Sequence, residues 1–422
     1  MFPRSKELSL CIVASSVGKT PEEVTHSFVY DEVVRLVKRG VEVHVSRFKF
    51  EGSGRSSGIY FHDIRRKFEP AIVWWGTKLL HYPLMSLNVN PKKMYKELLY
   101  SYNISKIVKK VNPDIVHAHF AYPEGWCALL ARTALARNVP LIVTTHGYDL
   151  NVLPEYNYGI RLHHDIDLMV RKVLALSNCI IAVSRDLMHI AKELGATNVV
   201  YIPNGVDTTV FNTTITSAEV EVINDLKKSW GIEDAEAVVG FFRHLMPHYG
   251  VHYLLLAARH IFKATRAKVK FVVAGDGDRN YIEVLRKGIA KLNLKNNIIY
   301  LGKLPRTVMP LIYKATDIVV NTSLTDGMPP SILEALASGK PVISFAVGGN
   351  KDVIVNGFNG FLIPSKDYKG LAERLLYLVE NPSEIRKMGL NGRKLVEERY
   401  DAEKRIDKIV RLYKVLSSSR PP

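Results

Sequence analysis

Short apolar runs alternate with longer segments of helical periodicity along almost the whole chain. Apolar runs of this length are typical of buried strands, and their alternation with helices predicts a parallel α/β architecture. The first series of runs is LSLCIVAS, VEVHVSRF, DIVHAHF, LIVTTH, CIIAVS and VVYIPNGV. The second series is AVVGFF, KFVVAGDG, IIYLG, DIVVNTS and PVISFAV.

Two such series in one chain predict two Rossmann-like domains in tandem. At 422 residues the chain is also longer than one hydrophobic core usually supports. The composition changes after YIPNGVD, so we expect a first domain over 1–205 and a second over 206–398. The tail, 399–422, repeats apolar side chains at three- and four-residue spacing, which predicts a helix that packs back on the first domain.

The net charge of +17 is spread unevenly. The segment from Arg47 to Lys110 holds 13 basic and 4 acidic side chains, together with the aromatic stretch AIVWWGTKLLHYPLMSL. Basic residues beside bulky aromatics suit an anionic membrane surface or a phosphate-bearing lipid. A solvated helical face that covers a core is an equally good interpretation. Nucleic acid is disfavoured, because no RNA-binding, zinc-finger or helix-turn-helix pattern accompanies the charge.

Cysteine usage and hydropathy indicate the compartment. Cys11, Cys127 and Cys179 are scattered and form no CxxC pair, so we expect no disulfide framework and a reducing environment. The first apolar run is broken at Ser9 and again at Ser15–Ser16, which is too short for a signal peptide or a membrane span. We therefore expect a cytoplasmic protein, either soluble or peripheral on the inner face of a membrane.

Three short patterns suggest other chemistry and are rejected. SVGKT resembles the end of a P-loop, but the position five residues before Gly18 is Val13 rather than glycine. AGDGDRN lacks the third glycine of a dinucleotide site, and HHDID opens a helical pattern rather than ending a strand. We therefore expect neither a metal site nor a bound cofactor. Gly18 still follows the first strand, where a turn can bring backbone close to a ligand.

The segment TDGMPPSILEALASGKPV is the strongest candidate for a site. It predicts a loop at the carboxyl end of a strand, then a helix that Gly339 terminates. The start of such a helix aims free amides and a positive dipole end at the crevice above the sheet, which suits a diphosphate. Glu334, one turn in, can accept hydrogen bonds from a ribose, and Asp326 from a polyhydroxylated group. The alternative makes Asp326 a turn residue and Glu334 an exposed charge, but the apolar neighbours of Glu334 disfavour it.

The stretch DIVVNTSLTDGMPPSILEALASGKPVISFAVGGNKDVIVNGFNGFLIPSKD resembles the donor-site region of retaining GT-B glycosyltransferases of family 4. The matching features are two acidic residues eight apart, E-A-hydrophobic-A-small-G-x-P-V, a Gly-Gly turn and N-G-x-x-G. HAHFAYPEG, THGYD, IPNGVD, AGDGD and LIYKATDIVV match in order elsewhere. The resemblance implies two Rossmann-like domains facing a cleft. It also implies metal-independent transfer of a sugar from a nucleoside-diphosphate sugar, which is a substrate, to a hydroxyl of a glycan or lipid-linked acceptor.

The resemblance also implies roles for four side chains near the reaction. Glu334 matches the glutamate that binds the donor ribose, and Asp326 matches the acidic residue that contacts the donor sugar. Arg243 matches the basic residue that binds the diphosphate. His146 matches the first-domain histidine that lies over the donor sugar near the reacting carbon. His146, Asp326 and Arg243 are therefore the expected catalytic residues.

Five further positions are expected to bind the donor because they match the family pattern. The backbone at Gly327, Met328 and Ser331 is expected to face the sugar and the phosphates. Leu304, which follows YLGK, falls where family members contact the base. Gly18 falls in the first-strand loop that approaches the phosphates.

The sequence departs from the family pattern at three points. Asp326 is one methylene shorter than the usual glutamate, and Pro329 and Pro330 supply no amides. The lysine that usually follows the arginine is Tyr249, beside His248, and a tyrosine adds no positive charge at neutral pH. An alternative function is therefore a catalytically silent nucleotide-sugar-binding partner of another transferase. A nucleotide-sugar 2-epimerase is less favoured, because it would lack LEALASGKPV.

Overall fold

The computed structural model describes residues 8–15, 17, 27–47, 53–63, 72, 91–135, 138–265 and 267–418. The chain divides into two compact units. Unit 1 consists of Met1–Pro203 together with Arg405–Pro422, and unit 2 consists of Asn204–Lys404. Both units contain a predominantly parallel sheet with helices, so the predicted α/β class is confirmed.

In the described part of unit 1, eight strands form one sheet in the order β3-β4-β2-β1-β5-β6-β7-β8. All neighbours pair in parallel except β3 with β4. The strands are β1 (Ser9–Val13), β2 (Glu42–Arg47), β3 (Gly54–Ser56), β4 (Ile59–Asp63), β5 (Ile115–His119), β6 (Leu141–Thr145), β7 (Cys179–Ala182) and β8 (Val199–Tyr201).

Helices separate most of the parallel strands along the described part of unit 1. They are α1 (Ser27–Lys38), α2 (Pro91–Val111), α3 (Trp126–Leu135), α4 (His164–Leu176) and α5 (Arg185–Glu193). Strands β1, β5, β6 and β7 are buried along their whole length, as expected for strands that are covered on both faces. This explains why their sequences are continuous apolar runs.

Unit 2 contains a second parallel sheet, of six strands among the described residues, in the order β11-β10-β9-β12-β13-β14. Its strands are β9 (Ala237–Phe242), β10 (Val269–Ala274), β11 (Ile298–Gly302), β12 (Ile318–Asn321), β13 (Val342–Phe345) and β14 (Gly360–Ile363). Its helices are α6 (Ser217–Ser229), α7 (Val251–Ala264), α8 (Arg279–Lys291), α9 (Met309–Lys314), α10 (Pro330–Ala337), α11 (Asn350–Val353), α12 (Tyr368–Glu380) and α13 (Pro382–Arg399).

The tail forms helix α14 (Ala402–Ser418), and its residues from Arg405 onward belong to unit 1. Ile406, Ile409 and Tyr413 lie in the same buried cluster as residues of β1, β2 and α1. Their spacing places all three on one face of the helix. That face therefore completes the hydrophobic core of unit 1.

Each sheet has one point at which the strand order reverses, between β1 and β5 in unit 1 and between β9 and β12 in unit 2. In open parallel sheets, ligands bind beyond the carboxyl ends of the strands at such a switch point. The loops after β1 and β5 and the loops after β9 and β12 are therefore the places where functional side chains are expected.

Two global expectations can be compared with the structure. Cys11, Cys127 and Cys179 are all free and buried. Within the described ranges, none of the helices combines the length and the apolar character that crossing a bilayer requires.

Candidate active site

Two of the predicted catalytic residues meet at the switch point of unit 2. Arg243 follows β9, and Asp326 lies in the loop after β12. The Arg243 Nη2 atom is 2.7 Å from the Asp326 Oδ2 atom, and each side chain is only 10% exposed. Burial raises the pKa of Asp326, although Arg243 partly offsets this effect. The sheet thus brings one cation and one carboxyl group together at the expected ligand-binding edge.

Tyr249 occupies the place of the lysine expected from the family pattern, and it packs against Arg243. The guanidinium carbon of Arg243 lies 4.3 Å from the centroid of the Tyr249 ring, which is close enough for a cation–π contact. The adjacent His248 is buried, and burial together with the neighbouring Arg243 lowers its pKa to about 4. Neither residue therefore adds a positive charge beside Arg243 at neutral pH.

The Gly-Gly turn after β13 supports the loop that carries Asp326. Gly348 has a φ of +46°, and a Cβ atom there would lie 1.8 Å from the carbonyl oxygen of Asp326. At Gly349 a Cβ atom would lie 2.1 Å from the carbonyl oxygen of Gly327, and the Gly349 amide donates to that oxygen at 2.9 Å. Only glycine permits this close approach of the two backbones. The glycines hence fix the position of the Asp326 loop.

A side chain that sequence reasoning did not assign to the site holds the next residue of that loop. The Nδ2 atom of Asn204 donates a hydrogen bond to the carbonyl oxygen of Met328 at 3.0 Å, and both residues are buried. Asn204 belongs to IPNGVD, a segment that matches the family pattern but to which the sequence alone assigns no function. This hydrogen bond fixes the orientation of the Met328 peptide group.

Helix α10 begins and ends as the sequence predicts. Pro330 is its first residue and Gly339, with a φ of +70°, follows its end. The amide of Ile332 donates to the carbonyl oxygen of Pro329 at 3.2 Å, and Pro330 has no amide. Ser331 therefore carries the first backbone donor of the helix, as the family pattern expects for a phosphate-facing amide.

Glu334 lies on α10 and is half-buried rather than exposed. Its Oε2 atom accepts a hydrogen bond from the Tyr313 hydroxyl at 2.9 Å. Tyr313 is fully buried on α9, where its hydroxyl is also 3.2 Å from the carbonyl oxygen of Ser331. Tyr313 thereby anchors the carboxylate and the helix start together. Its signal in the sequence was the matching piece LIYKATDIVV.

The remaining predicted donor-binding positions are less closely grouped. Leu304 is half-buried in the loop after β11, which is two strands away from β9 in the sheet. Gly18 lies outside the described residues. AGDGDRN forms a strand-to-helix turn as predicted, in which Gly275 allows close approach to the backbone of Arg243.

His146 follows β6 at the carboxyl edge of the sheet of unit 1. Its ring centroid lies 4.7 Å from that of Phe28 and 4.6 Å from that of Phe120, so aromatic rings flank it. Its Nε2 atom is 3.1 Å from the Nδ1 atom of His119, which ends β5. Asp149 accepts hydrogen bonds from the His146 and Gly147 amides, each at 3.0 Å. These contacts hold the THGYD turn in place.

Behind His146 lies a buried cluster that sequence reasoning missed. His117 and His119 are two residues apart on β5, so both side chains point to the same face of the sheet. The Oε1 atom of Glu32, on α1, is 3.6 Å from the His119 Nε2 atom and 3.8 Å from the His117 Nδ1 atom. Arg405 binds the other carboxylate oxygen of Glu32. The only signal in the sequence was the spacing of HAH.

Glu32, His117 and His119 are residue types that bind metals, and their donor atoms lie within 4.8 Å of one another. However, His117 already uses both nitrogens, at 2.6 Å from the Tyr413 hydroxyl and 2.7 Å from the Thr144 hydroxyl. Glu32 is also paired with a cation. A divalent metal would have to displace these partners, so we interpret the cluster as a structural group held by Tyr413, Thr144 and Arg405.

The rejected HHDID pattern is the start of α4, as predicted. The Oδ2 atom of Asp165 is 2.6 Å from the Lys93 Nζ atom, and Asp167 pairs with Arg161 and Arg171. Both aspartates are thus engaged in ion pairs on a helix, which is the surface role that the sequence indicated.

The basic segment from Arg47 to Lys110 is described only in part, since 48–52, 64–71 and 73–90 lie outside the described residues. Arg47 is fully buried and pairs with Asp63 at 2.5 Å, so it does not belong to a basic surface. Lys109 and Lys110 are exposed at the end of α2. Apart from Arg55 on β3, the exposed basic side chains in the described part of this segment therefore belong to this helix.

Two family models match the chain. The first lies mostly within unit 1, and the second lies within unit 2. The model described as "Glycosyltransferase Family 4" matches residues 26–210. The model described as "Glycosyl transferases group 1" matches residues 222–395. Together they cover every described strand of the two sheets except β1, and every site residue named above except Gly18, Arg405 and Tyr413.

Named relatives and a solved structure agree with these matches. N-acetyl-α-D-glucosaminyl L-malate synthase of Bacillus anthracis is 25% identical over 383 residues, which are 90% of each chain. UDP-Gal:α-D-GlcNAc-diphosphoundecaprenol α-1,3-galactosyltransferase of Escherichia coli is 28% identical over 334 residues, 78% of this chain and 82% of that one. HepE of Anabaena, solved with UDP and glucose, aligns with a TM-score of 0.75 at 18% identity, covering 97% of this chain and 100% of its own.

The fold of the two sheets is therefore the GT-B fold, and the protein is an enzyme that transfers glycosyl groups. The chain belongs to the group 1 glycosyltransferases of family 4. The predicted family, fold and enzyme class are confirmed.

Proposed function

We propose that the protein moves a sugar from a nucleoside-diphosphate sugar to a hydroxyl of a glycan or lipid-linked acceptor, with retention of configuration and without a metal. The observation that carries the proposal is the meeting of Arg243 and Asp326 at the switch point, beside helix α10 with its anchored Glu334. The name of the Escherichia coli relative supports these substrate classes, because it contains a UDP-sugar donor and a diphosphate-linked lipid acceptor.

The proposed reaction breaks the bond between the anomeric carbon and the phosphate oxygen. Negative charge then develops on the leaving diphosphate, where Arg243 and the start of α10 stabilise it, and positive charge develops on the sugar. The acceptor oxygen bonds to the anomeric carbon on the face that the nucleotide leaves. The hydroxyl proton passes to the departing phosphate oxygen. We assign no enzymic nucleophile.

The other side chains receive roles in binding and orientation. Glu334 accepts hydrogen bonds from the ribose, and Tyr313 fixes the direction of its carboxylate. Asp326 accepts hydrogen bonds from hydroxyls of the transferred sugar. His146 contacts that sugar near the reacting carbon, as the family resemblance implies. Leu304 contacts the base.

The first test is release of nucleoside diphosphate from a panel of UDP-, GDP- and ADP-sugars, with and without membrane lipid extract. UDP-sugars come first because HepE was solved with UDP. We expect release from one donor, lost in Glu334→Ala and retained in Glu283→Ala, an exposed glutamate of α8. Turnover should be equal in EDTA and in added Mg²⁺ or Mn²⁺. A requirement for metal, or an anomer of inverted configuration in the product, would contradict the proposed mechanism.

A second candidate function is supported by the replacement of the usual lysine. Tyr249 and His248 leave Arg243 without an added charge beside it. A silent nucleotide-sugar-binding partner would bind one donor tightly by calorimetry and release no product with any acceptor. Recovery of turnover in Tyr249→Lys would then identify this position as the cause.

We further propose that α2 contacts an anionic membrane surface on the inner face, where a lipid-linked acceptor is presented. Exposed lysines near such a surface contribute about 1 kcal/mol each. The double variant Lys109→Glu/Lys110→Glu should therefore lose binding to liposomes that contain anionic lipid. The matched control is Lys287→Glu/Lys291→Glu, which reverses two exposed lysines of α8. Equal binding by the two double variants would contradict the proposal.

A further inference from the structure

Three side chains of unit 1, two of them buried, form a line that ends at the half-buried His146. The Oε1 atom of Glu32 faces the Nε2 atom of His119 at 3.6 Å, and the Nδ1 atom of His119 faces the Nε2 atom of His146 at 3.1 Å. Glu32 is 3% exposed and His119 is fully buried. We name this line, Glu32, His119 and His146, the imidazole line. Water is excluded from its inner members, so each proton on it is placed by its neighbours.

The buried end of the imidazole line, at Glu32, carries a fixed negative charge. Burial alone would raise the pKa of Glu32, but Arg405 and the neighbouring histidines lower it to about 2. Arg405 is itself held, because its Nε atom donates to the carbonyl oxygen of Pro203 at 3.0 Å. Glu32 is therefore a carboxylate at neutral pH, and a carboxylate can only accept hydrogen bonds.

The middle of the line is a neutral imidazole. Burial lowers the pKa of His119 to about 4, although Glu32 partly offsets this effect. A neutral imidazole has one N–H and one nitrogen lone pair. If the proton were on Nδ1, the lone pair of Nε2 would face the carboxylate of Glu32, and two acceptors would oppose each other. The proton of His119 therefore lies on Nε2, and its Nδ1 atom is an acceptor.

We infer that Glu32, acting through His119, places a proton on the Nε2 atom of His146. Because Nδ1 of His119 is an acceptor, the nitrogen 3.1 Å away must be the donor. When the His146 ring is neutral, its Nδ1 atom is then an acceptor. The same hydrogen bond prevents rotation of the ring by 180°, which would replace Nε2 with a carbon. Glu32 and His119 are positioning residues in this arrangement.

His117 does not determine this proton, although it lies in the same cluster. Its two nitrogens are engaged with the hydroxyls of Tyr413 and Thr144, whereas the nitrogen that contacts His146 belongs to His119. It therefore provides a matched control, since it is an equally buried histidine on the same strand.

The consequence for catalysis rests on the proposed role of His146 at the transferred sugar. A ring that keeps its N–H directed at His119 offers no cationic donor to a sugar on which positive charge develops. It can instead accept a hydrogen bond from a hydroxyl. Loss of the line would leave donor binding by unit 2 intact and lower the rate of the chemical step.

The test is nuclear magnetic resonance of the full chain labelled with ¹⁵N-histidine, in a buffer with a chelator. The His146 ring signals are assigned by their loss in His146→Gln. In the wild type we expect a protonated Nε2. In Glu32→Gln/Arg405→Met, which removes both charges so that neither is left buried alone, we expect the His146 signals to shift toward an Nδ1–H form. His119→Asn should have the same effect, and His117→Asn should not.

Kinetics supply the second readout. Glu32→Gln/Arg405→Met and His119→Asn should lower kcat by about 10- to 100-fold, by analogy with the loss of residues that orient metal-bound imidazoles, with KM for the donor within twofold. A wild-type His146 protonated on Nδ1, or signals unaffected by both variants, would overturn the inference. The expected signals with unchanged kcat would overturn the positioning role. The expected signals in a wild type without transferase activity would support the tautomer and count against the proposed function.

Discussion

The buried pair of Arg243 and Asp326 leads to a prediction that can be measured without any substrate. Each side chain is 10% exposed, and the charged atoms are 2.7 Å apart. Removal of one partner leaves the other charge buried and unpaired, which costs about 3 to 5 kcal/mol. Arg243→Met and Asp326→Leu should each lower the free energy of unfolding of unit 2 by this amount. The double variant leaves no unpaired charge, so its loss should be smaller than the sum by about 1 to 3 kcal/mol.

The pH dependence of Arg243→Met follows from the raised pKa of Asp326. Without Arg243, which lowers it in the wild type, this pKa rises further. The folded variant then holds a proton at pH values where the unfolded chain has lost it, so its stability falls as the pH rises above the usual carboxyl pKa. The cost of Arg243→Met should therefore be larger at pH 8 than at pH 5.

The free energy of unfolding of unit 2 is measured by hydrogen-exchange mass spectrometry at increasing urea concentrations, using peptides that come from unit 2. The control cycle uses Lys268 and Asp234, a pair in the same unit that is 3.0 Å apart and 59% and 62% exposed. Its coupling should be small, because water surrounds both exposed charges. If the losses from the Arg243 and Asp326 variants simply add within about 0.5 kcal/mol, the charges are not coupled and the reasoning is wrong.

Two further predictions concern donor binding by unit 2. Tyr313→Phe removes the hydroxyl that binds Glu334 at 2.9 Å while the ring still fills the core, so donor affinity measured by calorimetry should fall about 10-fold. Unchanged affinity would show that Glu334 needs no anchor. Gly348→Ala should abolish donor binding because its Cβ would displace the Asp326 carbonyl. Gly357→Ala, with a φ of +72° and open space around it, should retain donor affinity and lose only about 1 kcal/mol of stability.

Most of the fold is readable from the sequence because its determinants are local. Every apolar run predicted as a strand is a strand, since parallel strands covered on both faces have continuous apolar sequences. The bounds of α10 follow from Pro330 and Gly339, which act on the backbone beside them. Strands β3, β4 and β14 were not predicted. The first is three residues long and exposed, and the last lies at the edge of its sheet, so neither has a long apolar run.

Some residues of the candidate site can likewise be identified from the sequence, whereas the roles of others appear only in the structure. Asp326 and Glu334 lie in one continuous segment, so their types and spacing mark them in the sequence. Tyr313 and Asn204 lie in segments that match the family, but nothing in their own spacing shows that they hold Glu334 and Met328. The basic segment shows the limit of charge patterns, because Arg47 looks like a surface cation and is buried against Asp63.

Local patterns along the chain are enough to predict the α/β class, the order of the strands along the chain, the family and the segment that carries Asp326 and Glu334. The pairing of Arg243 with Asp326 is visible only in the folded protein. Only the tertiary structure placed Arg405 against Glu32, which is 373 residues away along the chain. The physical reason is that strands and turns depend on neighbouring residues, whereas these ion pairs depend on the order of strands in a sheet and on the docking of a tail helix.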